Sequence, residues 1–197
     1  MPNFFQRLIG LTGGIGTGKS TVSHYFADVY RVPILDADIY AREAVQSGSP
    51  VFSEIVHRYG SAIQLSDRTL NRKRLGEIIF SHPEEREWLE SKIHPYVRVR
   101  FQSELKVIAA PTIVLVIPLL LEAGMTDLVT EIWVVRCSYQ QQLERIMKRD
   151  SLSLEQAQSR IKSQMPLEEK AAAADMVLDN SSTLNTLLRQ VDAALIN

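Results

Sequence analysis

The chain has 197 residues, 45% of them apolar, and its 22 lysines and arginines nearly balance its 23 aspartates and glutamates. This length and composition are those of one globular unit, or of a core with a small insertion. Because the net charge is close to zero, no global field favours nucleic acid or an anionic membrane surface, and we expect neither as a partner. The absence of a signal-peptide pattern and of a membrane-length apolar stretch predicts a cytoplasmic protein. The single cysteine, Cys137, lies in an apolar run, which predicts a buried thiol and excludes an internal disulfide framework.

The first predicted element is an apolar strand at Leu8–Thr12, which leads directly into a glycine-rich motif. Residues 13–20 read Gly-Gly-Ile-Gly-Thr-Gly-Lys-Ser and match the P-loop pattern, and residues 21–28 have the apolar spacing of a helix. In a P-loop, backbone N–H groups and the helix N-terminus hold phosphate, the lysine reaches the β- and γ-phosphates, and the serine hydroxyl binds Mg²⁺. The motif therefore predicts a nucleoside triphosphate with magnesium on Ser20. The predicted contacts are Gly13, Gly14, Ile15, Gly16, Thr17, Gly18, Lys19, Ser20 and Thr21.

Four more apolar runs read as buried strands, at Pro33–Leu35, Thr112–Pro118, Glu131–Arg136 and Met176–Leu178. Helical segments separate them, and this alternation indicates an α/β protein with a parallel sheet covered on both faces. We therefore predict a three-layer P-loop NTPase fold with five parallel strands. Its core comprises about residues 1–37, 111–142 and 172–197.

Two helical stretches interrupt this core. About residues 38–110 show no strand pattern, only helical segments at Ala41–Gln46, Val51–Tyr59, Arg72–Phe80 and Pro83–Ile108. Because ligands of open α/β sheets bind beyond the carboxyl ends of the strands, we expect this insertion to hold a second substrate. A second stretch, rich in lysine and arginine, covers about residues 143–171 and is predicted to be a lid.

Asp38 is the candidate for orienting an acceptor hydroxyl and taking its proton. It follows Asp36 at the predicted end of the second strand, at the same edge of the sheet as the P-loop. The alternative is that one or both aspartates cap a helix starting near Ile39.

Arg145 and Arg149 are the candidates for binding the γ-phosphate. They lie four residues apart on a predicted helix, so both leave one face, and phosphoryl transfer requires cations on the phosphate oxygens. The alternative is a solvated basic face whose arginines pair with Glu144 or Asp150.

Three other residues are candidates for substrate or metal contacts. Arg42 and His94 lie in the insertion, where they can meet an anionic or polar substrate, although a lone histidine is more often structural. Glu122 follows Pro118-Leu-Leu-Leu near the end of the third strand. It is either an acidic partner for magnesium through water or a surface carboxylate.

These motifs, in this order and spacing, resemble the dephospho-CoA kinase family from Leu8 to about Asn180. The resemblance implies transfer of the ATP γ-phosphate to the ribose 3′-hydroxyl of dephospho-CoA, by a P-loop core, a CoA-binding helical domain and a lid. It rests on residues 10–20, 36–42, 79–84, 94–95, 118–122, 142–150, 164 and 174–180.

The same resemblance implies the roles of individual residues. Thr12, Asp38 and Arg145 join Lys19 in the active site. The substrate region includes Arg42, His94, Pro118, Leu119, Leu120 and Glu122. Arg149 lies with the nucleotide, and the turn at Asn180 lies near the adenine. The chain departs from the family in having Thr17 for serine, Leu121 for phenylalanine, and serine after Asn180.

Three other functions compete with this one. Another small-molecule P-loop kinase, such as a nucleoside monophosphate kinase, shares the core and lid but lacks the His94-Pro95 and Pro118-Leu-Leu-Leu-Glu122 motifs. A GTPase switch requires an Asn-Lys-x-Asp motif, which is absent from the sequence. A non-enzymatic ATP-binding module needs the P-loop but neither Asp38 nor Arg145.

Overall fold

The computed structural model describes residues 6–196, which form two compact units. One unit contains the chain up to Asp36 and from Ile108 onward, and the other is Ala37–Val107. Among residues 6–196, no helix combines the length and the apolar character that a membrane crossing requires.

The first unit is built on a sheet of five parallel strands, in the order β2-β3-β1-β4-β5. This confirms the predicted fold class. The strands are β1 Arg7–Gly13, β2 Ile34–Asp36, β3 Thr112–Val116, β4 Glu131–Arg136 and β5 Met176–Asp179. Because the strands are parallel, their carboxyl ends share one edge of the sheet, where Gly13 lies opposite Val135 and Asp36 opposite Val116.

The helices follow in chain order. They are α1 Lys19–Tyr30, α2 Ala37–Ala44, α3 Pro50–Tyr59, α4 Arg72–Ser81, α5 Pro83–Val107, α6 Tyr139–Asp150, α7 Leu154–Lys162, α8 Leu167–Ala172 and α9 Leu184–Ile196.

Helices α1 and α9 pack on the sheet of the first unit. Phe26 of α1 contacts Trp133 of β4 with 5.6 Å between ring centroids, and both side chains are fully buried. Leu187 and Val191 lie four residues apart on α9, so both face the same fully buried cluster. Burial of each such side chain contributes about 1.5–3 kcal/mol, and the sheet edge beside the P-loop is thereby held on a rigid core.

The second unit is helical and has its own apolar core. Val51, Phe52 and Ile55 of α3 pack there with Leu75 of α4 and Leu89 of α5. Helix α3 begins with Ser49, whose side chain accepts a hydrogen bond from the Phe52 N–H, and with Pro50 in its first turn.

The predicted lid stretch is three helices rather than one. Ser151 adopts a left-handed conformation (φ 53°) after α6, and Ser138 and Ser153 begin α6 and α7 with capping boxes. Pro166 precedes α8. These local stop and start signals break the helical periodicity.

Two boundaries differ from expectation close to candidate residues. Helix α2 begins at Ala37, immediately after β2, so Asp38 lies in the first turn of a helix and not at the end of a strand. Strand β3 ends at Val116 rather than at Pro118, because proline has no N–H for the ladder. Glu122 consequently lies in a turn segment beyond the strand.

Candidate active site

The loop after β1 has the backbone of a phosphate cradle, and its glycines are sterically required. Gly13 (φ +139°) and Gly18 (φ +104°) adopt conformations that disfavour side chains. A Cβ on Gly13 would lie 2.3 Å from the Val135 carbonyl oxygen, and one on Gly18 would lie 2.3 Å from Asn180 Nδ2. The loop therefore packs directly on β4 and on the segment after β5.

The carbonyl groups of this loop are held by side chains from α6 and from the end of β5. Gln142 donates from Nε2 to the Ile15 oxygen, and Asn180 donates from Nδ2 to the Thr17 oxygen, both at 2.8 Å. Because the C=O and N–H of a peptide point in opposite directions, holding the carbonyls on one side directs N–H groups to the other, as anion binding requires.

Lys19 lies at the start of α1 and folds back over the loop. Its Nζ donates to the Gly13 and Gly14 carbonyl oxygens, at 2.8 Å each. The neighbouring Ser20 is exposed in the first turn of α1. An ammonium and an exposed hydroxyl are thus adjacent at a helix N-terminus, where an anion is favoured.

Arg145 and Arg149 lie on α6 but make different contacts. Arg145 donates to the Gly16 oxygen at 3.4 Å and to the Asn180 oxygen at 3.1 Å. Arg149 is exposed and pairs with Asp150 at 2.7 Å, as the alternative interpretation expected. The hydrogen bond from Arg149 lowers the pKa of Asp150. Of the two arginines, Arg145 contacts the P-loop.

Thr12 is buried at the end of β1, and its hydroxyl donates to the Pro118 oxygen at 3.1 Å. The same oxygen accepts a hydrogen bond from Lys170 Nζ at 2.8 Å. Lys170 also pairs with Glu122, with 2.7 Å between Nζ and Oε1. The Glu122 carboxylate is thus engaged by a lysine of α8.

The turn at Asn180 borders a cavity of about 230 Å³. Asp179 and Ser181 line it, with Arg136, Cys137 and Ser138 from the end of β4. Hydrogen bonds from Ser181, and next the contact with Arg136, lower the pKa of Asp179 against the opposing effect of burial. Burial raises the pKa of the Cys137 thiol, so this cysteine is protonated at neutral pH.

In the second unit, Asp38 and Arg42 lie four residues apart on α2 and line a common cavity of about 410 Å³. Leu89 and Ile93 of α5 contribute apolar surface, and Arg72 contributes a second cation. His94 lies half-buried within α5, beside Ile93, but is not among the lining residues of this cavity. This cavity combines a carboxylate, two guanidinium groups and an apolar wall.

Comparison with known proteins decides the family. The sequence model described as dephospho-CoA kinase matches residues 7–186. The chain belongs to the dephospho-CoA kinase family. The dephospho-CoA kinase of Trichormus variabilis is 62% identical over 190 residues, covering 96% of this chain and 97% of that protein.

Solved structures agree with this assignment. A dephospho-CoA kinase from Campylobacter jejuni superimposes with a TM-score of 0.72 at 26% identity, over 98% of this chain and 96% of that chain. The Thermus thermophilus protein TT1252 superimposes with a TM-score of 0.82 at 35% identity, over 97% of both chains. The family resemblance seen in the sequence is therefore confirmed, and the chain is an enzyme of the kinase class. This outcome favours the dephospho-CoA kinase function over a nucleoside monophosphate kinase.

Three side chains at this kinase site were not predicted to contact the loop or its surroundings. Gln142 holds the Ile15 carbonyl, and Gln164 Oε1 accepts a hydrogen bond from the Ile15 N–H at 2.8 Å. Lys170, expected among the cations of a surface lid, is completely buried. In the sequence, Gln142 and Gln164 appear only as family motif positions, and their contacts span more than a hundred residues.

Proposed function

We propose that the chain transfers the γ-phosphate of ATP to the ribose 3′-hydroxyl of dephospho-CoA, giving coenzyme A and ADP. The observation that carries the proposal is the family match over residues 7–186, together with a P-loop whose carbonyls are held from outside. A kinase of this family uses ATP as its phosphate donor.

The residues of the first unit fit a triphosphate. The glycine backbone leaves no room for side chains around the loop, and Lys19 stands at the N-terminus of α1. On binding, we propose that Lys19 exchanges its contacts with the Gly13 and Gly14 carbonyls for the β- and γ-phosphate oxygens. Residues 13–21 then form the phosphate site, with the Asn180 turn beside the adenine.

Magnesium fits the same site through Ser20. No group of three or more His, Cys, Asp and Glu side chains able to hold a metal occurs within residues 6–196. Mg²⁺ keeps several waters and is commonly bound by one or two protein oxygens plus substrate phosphates, and the exposed Ser20 hydroxyl supplies one such oxygen. When bound, the ion neutralises charge on the β- and γ-phosphate oxygens.

We propose that the 37–107 unit, corresponding to the predicted insertion at about 38–110, binds the acceptor. The cavity on α2 offers Arg42 and Arg72 to the phosphate groups of dephospho-CoA and Leu89 and Ile93 to its apolar parts. We assign His94, Pro118, Leu119, Leu120 and Glu122 to the substrate region as well.

In the transfer step, the ribose 3′-oxygen forms a bond to the γ-phosphorus while the bond from that phosphorus to the oxygen bridging the β- and γ-phosphates breaks, and ADP leaves. We propose that Asp38 orients the 3′-hydroxyl and takes its proton. Because the transition state of phosphoryl transfer is loose, orientation is the larger part of this role. Thr12 and Lys19 complete the catalytic set.

We propose that residues 143–171 act as the lid and that Arg145 bears on the γ-phosphate oxygens as charge redistributes. A guanidinium supplies two parallel hydrogen bonds to a phosphate, which an ammonium cannot. Arg149 contributes in the same direction from the outer part of α6. A cytoplasmic location and independence from nucleic acid stay predictions from the sequence.

The test is a coupled ADP-release assay in which dephospho-CoA, AMP, UMP and shikimate are compared as acceptors. We expect turnover with dephospho-CoA and, at equal concentration, little with the others. A preference for AMP or UMP would overturn the proposal in favour of a nucleoside monophosphate kinase. Binding of ATP without turnover of any acceptor would favour an ATP-binding module.

A further inference from the structure

Lys170 has a completely buried side chain although it lies on the short helix α8 at the end of the basic stretch. A buried ammonium is unfavourable unless acceptors compensate it. Two acceptors from the segment after β3 do so, since Nζ lies 2.8 Å from the Pro118 oxygen and 2.7 Å from Glu122 Oε1. The Glu122 side chain is itself 22% exposed.

Each of these acceptors also holds a group close to the P-loop. The Pro118 oxygen accepts the Thr12 hydroxyl at 3.1 Å, and Thr12 directly precedes the loop. Glu122 Oε1 accepts the Met165 N–H at 3.1 Å. Met165 follows Gln164, whose side chain accepts the Ile15 N–H of the loop at 2.8 Å.

We propose that Lys170 is a positioning residue for phosphoryl transfer, an inference that rests on the proposed kinase function. Its ammonium fixes the Pro118 carbonyl and the Glu122 carboxylate, and through them Thr12 and Gln164 against the two sides of the loop. Lys170 touches neither ATP nor the acceptor. Its effect on the rate comes from geometry, since a misplacement of about 1 Å at reacting groups costs up to about 10²-fold.

A purely structural role predicts a different result from the same contacts. If Lys170 only compensated the Glu122 carboxylate, removing both charges together would restore the protein in every respect, because replacing a buried ion pair by neutral side chains is often harmless to stability. A positioning role predicts that stability returns but the rate does not, because the bond to the Pro118 carbonyl remains absent.

The experiment compares Lys170→Met, the double variant Lys170→Met/Glu122→Gln, and the control Lys162→Met, which changes an exposed lysine of α7. The melting temperature, kcat and the KM for each substrate are measured. We expect Lys170→Met to lower both the melting temperature and kcat, the latter by about 10-fold or more. The double variant should recover the melting temperature while kcat stays low, and the control should match wild type. Full recovery of kcat in the double variant would overturn the proposal.

Hydrogen exchange at the Ile15 amide gives a readout that requires no activity. We expect this amide to exchange faster in Lys170→Met than in wild type, since its acceptor Gln164 loses its fixed position. Exchange at the wild-type rate would contradict the inference. A wild-type enzyme that fails to turn over dephospho-CoA would instead contradict the proposed function, while the exchange measurement would still decide whether Lys170 orders the loop.

Discussion

Arg145 joins the P-loop to the segment after β5, because its guanidinium donates to the Gly16 oxygen at 3.4 Å and to the Asn180 oxygen at 3.1 Å. Asn180 in turn donates to the Thr17 oxygen at 2.8 Å. The arginine is thus held beside the phosphate cradle by backbone carbonyls alone. Such contacts orient the guanidinium without neutralising it, and its positive charge remains available to a phosphate.

We therefore expect Arg145→Ala to lower kcat by about 10³-fold or more, with smaller changes in the KM values, because an arginine on the γ-phosphate acts mainly in the transition state. Arg145→Lys should rescue only partly, since an ammonium lacks the planar two-pronged donor. Arg149→Ala should lower kcat less, because Arg149 pairs with Asp150 in the free enzyme. Steady-state kinetics of the three variants provide the measurement, and wild-type kinetics for Arg145→Ala would remove this residue from the catalytic set.

Lys19→Ala is expected to nearly abolish turnover while the fold stays intact. The substitution removes the charge that serves the β- and γ-phosphates, and the lost contacts are two hydrogen bonds to loop carbonyls at the protein surface. The ADP-release rate and the melting temperature are measured together, with Lys106→Ala, an exposed change in the last turn of α5, as the control. A near wild-type rate for Lys19→Ala would contradict the P-loop assignment.

Asp38→Asn should lower kcat by about 10² to 10⁴-fold, the range for a lost general base, and leave ATP affinity little changed. Asp38 lies in the first turn of α2, where a carboxylate also stabilises the helix. Kinetics and thermal melting of the variant separate these roles. Full kcat with a lowered melting temperature would show that Asp38 serves the helix and not the reaction.

The sequence predicted the parts of the molecule that depend on local patterns. The P-loop is a contiguous motif, and Glu131–Arg136 was predicted with the bounds it has in the structure, because a parallel strand covered on both faces is a continuous apolar run. Asp38 was misplaced for a local reason too: the chain passes from β2 into α2 with no loop between them, and an apolar pattern does not mark such a junction to the residue.

The supporting contacts around the loop carry no comparable sequence signal. Gln142, Gln164 and Lys170 lie 127, 149 and 52 residues from their partners Ile15, Ile15 and Pro118. Their side chains are ordinary choices for a solvated helix, so only the folded chain distinguishes a buried ammonium from an exposed one. Burial of Lys170 is decided by where α8 packs, which depends on the whole unit.

Gly18→Ala should impair nucleotide binding as well as stability. A left-handed backbone costs a side chain roughly 1–2 kcal/mol, and the added Cβ would also lie 2.3 Å from Asn180 Nδ2. Gly60→Ala is the matched control, because Gly60 also has a positive φ but meets nothing within 4 Å. We expect Gly60→Ala to show the strain cost alone, with unchanged kinetics, whereas Gly18→Ala raises the KM for ATP. Equal kinetics in the two variants would show that the loop tolerates the displacement of Asn180.

Glu85 should make the helical unit sensitive to acid. Hydrogen bonds from Arg58, and next from Tyr59, lower the pKa of Glu85 from 4.5 to about 2. A carboxyl whose pKa is lower in the folded state stabilises the fold above its unfolded pKa, and this stabilisation is lost as the pH falls from about 5 toward 2. The melting temperature of Glu85→Gln should therefore lie below that of wild type at pH 6 and converge with it near pH 2.5. Glu84→Gln changes an exposed carboxyl in the same first turn of α5 and serves as the control. Parallel melting curves for wild type and Glu85→Gln across this pH range would show that the contacts with Arg58 and Tyr59 do not stabilise the folded state.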